Sequence, residues 1–119
     1  MHEHELKART KQFALRVMKL VDALPKTTVG RAIGDQLIRS GTSVGANYRS
    51  ACRARSKAEF ISKIGIVAEE ADESAFWLEL IMESGLMTEK SILLLHTEAE
   101  ELTSIFVASR KTAQSKKDF

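Results

Sequence analysis

Three groups of side chains in this 119-residue sequence are of types that do chemistry: a carboxylate run, three histidines and a cluster of arginines. Glu69, Glu70, Asp72 and Glu73 lie close together, and bundles that hold paired iron ions combine such carboxylates with a Glu-x-x-His pair from each of two helices. No such pair occurs. His96 has Leu93 three residues before it, and His2 and His4 lie on a loose terminus. The carboxylates therefore read as a solvated face or as the acidic half of a subunit contact, and His96, beside Leu95, as a residue at the core boundary. Cys52 has no histidine near it to serve as a base, so it is expected to pack as a small side chain rather than act as a nucleophile. A phosphate-binding glycine loop needs a strand ahead of it, and no strand is expected here. These absences lead to an expectation of no metal, no cofactor and no enzymatic activity.

The densest positive cluster is Arg49, Arg53, Arg55 and Lys57, with Arg39 upstream. Guanidinium groups meet phosphate oxygens in two-point geometry, so the cluster is a candidate nucleic-acid contact. Cations at the end of a helix also complement its dipole without any ligand. Only Tyr48 is interleaved with the arginines, which gives no base-stacking platform for single strands, and the overall charge of +2 is modest for a nucleic-acid binder.

The elements that carry these residues are helices. One proline, six glycines and a 44% hydrophobic composition without alternating β-branched runs point to an all-α class. A single cysteine fits a reducing compartment, and the charged start MHEHELKARTK has no signal-peptide core. No apolar run is long enough for a membrane span, so a cytoplasmic protein without a membrane partner is expected. At this length one domain over residues 1–119 is expected.

Leu6, Phe13, Val17, Leu20 and Leu24 form one stripe of a helix over about 5–24, which Pro25 stops. Val29, Ile33, Leu37, Val44, Tyr48 and Ala51 carry a second over 28–54, interrupted by Gly30, Gly34, Gly41 and Gly45. Those glycines mean either a break near residues 40–42 with Thr42 or Ser43 capping a second half, or a smooth face for close helix approach, and the two are compatible. Ser56 to Glu59 is a capping box opening a third helix over 57–84. Its seam runs through Ile61, Ile64, Ala68, Ala71, Ala75, Leu78 and Met82 to Gly85, a left-handed cap. Thr88 opens a fourth over 88–112 with Ile92, Leu95, Ala99, Leu102 and Phe106 inward, followed by a loose tail at 113–119. Short connectors make this an antiparallel up-down-up-down four-helix bundle.

Met18, Phe60, Trp77, Ile81 and Leu94 fall off these seams. Phe60, Trp77 and Ile81 together make either a second apolar strip for a subunit interface or the edge of a wide core face. Charge is sorted along the chain: residues 1–64 carry 13 basic and 5 acidic groups, a net of +8, whereas 65–109 carry 1 and 10, a net of −9. Oppositely charged sides of a bundle can pair between subunits, and a head-to-tail contact repeated about an axis closes into a ring.

The run QLIRSGTSVGANYRSACRARSKAEFISKIGIVAEEADESAFWLELI resembles the signature region of the bacterial four helix bundle protein family, known from open reading frames within intervening sequences of large-subunit ribosomal RNA genes. Gln36-Leu37, Arg39-Ser40, Ser43-Val44, Asn47, Ser56 to Phe60 and Glu69 to Leu80 carry the likeness, which extends over nearly the whole chain. Where that family usually has an isoleucine-alanine-glutamate-glycine stretch, this chain has Tyr48-Arg49-Ser50-Ala51, which is more basic. The resemblance implies a bundle assembled as a ring-shaped homopentamer. It is also similar to the accessory proteins of diversity-generating retroelements, which bind nucleic acid and a reverse transcriptase. By position, Arg39, Ser43 and Asn47 share one face at steps of four, read as a structural polar network with Glu69 or Glu70 answering Arg39. Two functions compete: an RNA- or DNA-associated oligomer using Arg49 to Lys57, and a scaffold whose charged faces serve only self-assembly and docking of a partner protein.

Overall fold

In the computed structural model, which describes residues 2–116, the chain leaves its first helix where Pro25 requires it to. α1 spans Glu3–Ala23, and Leu24 turns to extended backbone ahead of the proline. Thr27 then caps α2, Thr28–Cys52, its hydroxyl accepting from the Gly30 amide at 3.0 Å. α3, Lys57–Ser84, opens on Ser56, whose hydroxyl accepts from the Glu59 amide at 3.1 Å, and ends at Gly85, left-handed with φ 76°. α4 is Glu89–Ser115. Residues 113–115 of the expected loose tail are thus helical, and Met1 and 117–119 lie outside the described residues.

Each helix packs against the next in the chain, and α4 closes back on α1 with the lightest contact of the four. Paired positions run in opposite directions: Gly34 meets Val21 and Leu24 while Gly45 meets Thr10, and Glu79 meets His96 while Gly65 meets Arg110. The result is an antiparallel four-helix bundle, a rod of 55 × 21 × 20 Å with no strand among the described residues. Its core is a column of wholly buried side chains that includes Phe13, Leu37, Ile64, Leu78, Ile92 and Phe106.

The glycine-rich second helix is continuous, so of the two readings of its glycines the smooth face holds and the break at 40–42 does not occur. Thr42 and Ser43 cap nothing; their hydroxyls donate back to the Ile38 and Arg39 carbonyls, each at 2.6 Å, the local bond these residues make inside helices. The glycines instead let α1 lie close: a β-carbon at Gly41 would stand 2.8 Å from both methyl groups of Val17. Two of the stripes also differ. Val29 lies on the solvent side, 53% exposed in the first turn of α2, because the small face of that helix, Gly30 and Gly34, is the one turned to α1. On α3 the buried register takes in Val67, Ser74 and Ile81, since this helix packs between two neighbours and buries a wide arc.

Candidate nucleic-acid interface

The arginine segment falls where a helix ends and another begins. Arg49 occupies the last turn of α2, Arg53 is its C-cap one turn further, Arg55 is in the connector and Lys57 opens α3. Arg49, Arg53 and Arg55 are exposed; Lys57 is half-buried and its ammonium donates to the Lys116 carbonyl at the end of α4. The N-terminus of α1 and the C-terminus of α4 share this end of the rod, because the helices alternate in direction.

That alternation gathers cations which the sequence holds far apart. Lys7 and Lys11 of α1 flank Arg49 across a shallow groove of about 200 Å³ floored by Thr10, Ala14, Gly45 and Ala46. Arg110 of α4 lies over Gly65 of α3, with Lys111 beside it. Residues 2–11, 49–63 and 110–116 together carry eleven basic and three acidic groups, a net of +8, against six and twelve, a net of −6, over the other described residues. Charge is thus divided along the rod's axis as well as by helix. Lys7 also pairs with Glu3 at 3.0 Å, which the neighbouring ammonium holds below the usual carboxylate range.

Arg39 belongs to a different place. It sits about ten residues, or roughly 15 Å along α2, from Arg49, and its guanidinium bonds Glu70 at 2.9 Å and also Glu73. Hydrogen bonding to Glu73 raises the Arg39 pKa above its ordinary value, so the group stays charged and committed to carboxylates. Glu73 in turn accepts from the Trp77 indole N–H at 3.0 Å; that bond first, and Arg39 after it, keep its carboxyl below the usual range. Glu70 and Glu73 answer Arg39. Glu69 does not: it lies one face round α3, lining a groove toward α4 with Asp72, Arg110 and Gln114.

Ser43 and Asn47 do not reach across helices either. Ser43 bonds the Arg39 carbonyl, and the Asn47 amide nitrogen donates to the Ser43 carbonyl at 2.9 Å, so the row consists of local bonds along α2. A second cross-helix polar link, this one buried, is one the sequence did not single out. Ser40 and Ser74, both wholly buried, join hydroxyl to hydroxyl at 2.9 Å, and each also bonds its own helix. A serine within an otherwise small, apolar stripe on each helix was the available signal.

Of the three expected interface residues, Ile81 is wholly buried inside this chain and is not on any outer strip. Phe60 and Trp77 are half-buried and pack against the core, as the wide arc of α3 requires. Phe76, T-shaped against Trp77 at 5.1 Å and 50% exposed, is the most open aromatic among the described residues. His96 bridges α3 and α4 through Glu79 at 2.9 Å. Burial pushes the half-buried Cys52 thiol up, away from the thiolate form a nucleophile needs. Among the described residues no group of three or more His, Cys, Asp or Glu side chains could hold a metal ion, and no helix is long and apolar enough to cross a membrane.

Fold and site together define a class: a four-helix bundle whose surface is divided by charge, with a basic end built by all four helices. Within that class the chain belongs to the 23S rRNA-intervening sequence protein family, whose model matches residues 2–108. It is similar to a protein of unknown function from the S23 ribosomal protein family of Bacteroides thetaiotaomicron VPI-5482, known from a crystal structure. The two are 32% identical, with a TM-score of 0.85 over 93% of this chain and 99% of that one. No curated protein matches the chain.

Proposed function

We propose that this protein is a non-catalytic assembly subunit that holds RNA or DNA by its phosphates at the basic end of the bundle. The observation that carries this is the convergence there of cations from all four helices, of which Arg49, Arg53 and Arg55 are exposed while Arg9 and Arg110 stand beside carboxylates of α3 and α4. Exposed guanidinium groups at Arg49, Arg53 and Arg55 are free to approach phosphate oxygens in two-point geometry, and Lys7, Lys11 and Lys111 widen the contact beyond one strand. Nothing in this arrangement reads bases: Tyr48, the aromatic beside the arginines, is buried against Phe106, so binding by shape and charge rather than by sequence is expected.

Affinity for a mixed structured RNA, measured by fluorescence anisotropy, should fall steeply with salt, each phosphate contact adding about 0.9 to the slope of the logarithmic plot for duplex. The Arg49→Ala/Arg53→Ala/Arg55→Ala variant should lower that slope by about 2 to 3. A flat salt response, or unchanged binding in the triple variant, would sink the proposal. Arg39→Ala, by contrast, should leave RNA affinity nearly unchanged.

A homo-oligomer, with the ring of five that the family resemblance implies, would repeat the basic end around an axis and multiply the contacts. The alternative, a scaffold that docks a partner protein, is favoured by the large exposed side chains Phe76 and Leu94. It predicts RNA binding no stronger than that of any weakly basic protein.

A further inference from the structure

α3 carries large apolar side chains on two sides of its circumference. Its inner side fills the core, while Ile66, Glu69, Glu73, Phe76, Leu80 and Glu83 follow one another along its outer side at steps of three, four, three, four and three, Glu73 being paired with Arg39 of the same chain. Ile66 is 41% and Phe76 50% exposed, so the strip alternates large apolar groups with carboxylates. A helix apolar beyond its core face is one whose second face is covered by something.

Diagonally across the bundle, α1 and α4 diverge. Arg9 ties them near one end through Glu98 and Glu101, and toward the other the seam opens into a groove of about 320 Å³. Leu20, Leu94 and Leu95 give it an apolar lining, Arg16, Lys19 and Lys90 give it a cationic one, and no carboxylate is among its described lining residues. Leu94 is 76% exposed, the most open of the large apolar side chains.

We propose that the outer strip of α3 from one copy docks into the α1/α4 groove of a second copy, with Phe76 seated against Leu94 and Glu83 among the cations. The contact rests on the self-assembly proposed above and specifies its two surfaces. Each half supplies what the other lacks: an acidic helix with projecting apolar groups, and an apolar groove flanked only by cations. Strip and groove are different patches of the same chain, so the contact is heterologous, and every copy offers both halves. This placement leaves the arginine segment at the basic end uncovered for its phosphate ligand.

The test is light scattering after size exclusion at micromolar concentration on wild type and two variants: Phe76→Ala/Glu83→Lys, which breaks the strip, and Lys90→Glu/Leu94→Ala, which breaks the groove. All four side chains are exposed, so helical circular dichroism should be unchanged. Each variant alone should run at the single-chain mass of 13.2 kDa. An equimolar mixture should give a species of two chains, because one intact strip then meets one intact groove. A wild-type protein that is itself monomeric would overturn both this contact and the assembly behind it. Variants that keep the wild-type mass, or monomeric variants whose mixture stays monomeric, would overturn this pairing of surfaces and leave the assembly standing.

Discussion

The two seams that α1 makes are built on opposite terms. Against α2 it lies close, side chain on glycine, with Val17 on Gly41 and Thr10 on Gly45. Against α4 the contact is light and is held by a charged clasp, Arg9 to Glu98 twice at 2.7 Å and to Glu101 at 2.9 Å, beyond which the seam opens. Helices joined by a short connector are brought together by the chain itself, and small residues then allow close packing. The first and last helices meet only through their side chains, and here those side chains are polar. The closing seam of the bundle is accordingly where room is left for another surface.

The largest effect is expected from filling the close seam. Gly41→Leu would push a side chain into Val17, which is wholly buried and has nowhere to retreat. Overpacking of this kind costs about 3 kcal/mol, more than the roughly 1 kcal/mol that replacing a mid-helix glycine returns. Urea denaturation should show the loss. A variant as stable as wild type would mean that α1 can move off α2, and that the two seams are not different in kind.

Next comes the clasp. Arg9→Ala removes a two-point ion pair and leaves Glu98, only 15% exposed at its side chain, without its cation, at a cost of about 2 kcal/mol. Because the seam has few other contacts, the loss should appear as faster amide exchange in α1 and α4 and not in α2 and α3. Uniform exchange across all four helices would show that the α1/α4 seam is no weaker than the rest.

How much of this was legible in the sequence depends on the scale of the cause. The helices and their inward stripes follow from local periodicity, caps and the proline, all of which act within a few residues. The glycines of α2 leave a break and a smooth face both open in the sequence, because the contact that decides for the smooth face is with Val17, more than twenty residues away. The arginine segment was visible as a run. Its enlargement by Lys7, Lys11 and Arg110 was not, since it exists only once antiparallel packing brings four helix ends together. Ile81 was assigned outward because a strict heptad leaves it off the seam, whereas a helix packed between two neighbours buries a wider arc.

At the α2/α3 contact, which stands between the two extremes, a buried hydroxyl pair replaces both glycine and ion pair. Ser40→Ala should cost about 1 kcal/mol; the Ser74 hydroxyl keeps its bond to the Glu70 carbonyl, so no group is left wholly unpaired. The double variant Ser40→Ala/Ser74→Ala should be no worse than the single one, since the second change removes a partner already without its mate. A cycle in which the two losses add would show that each serine acts through its own helix backbone and that the hydroxyl pair does not join α2 to α3.

The smallest effect lies on the outer edge of that contact and is read by pH. Glu73 has its pKa lowered in the folded protein, by the Trp77 N–H first and Arg39 next, from an ordinary value of 4.5. A lowered carboxylate contributes stability that is fully present above the unfolded value and disappears as pH falls through the folded one. The Glu73 side chain is one-third exposed and Arg39 is half exposed, so screening holds the contribution to a few tenths of a kcal/mol. Glu73→Gln should therefore be slightly less stable than wild type at pH 7. The difference should fade as the pH falls below 4.5 and wild type loses its charge, and urea midpoints taken across that range would show it. A gap that stays constant with pH would show that neither the Trp77 N–H nor Arg39 favours the ionised form of Glu73, and would remove charge from the account of how α2 and α3 are held at their surface.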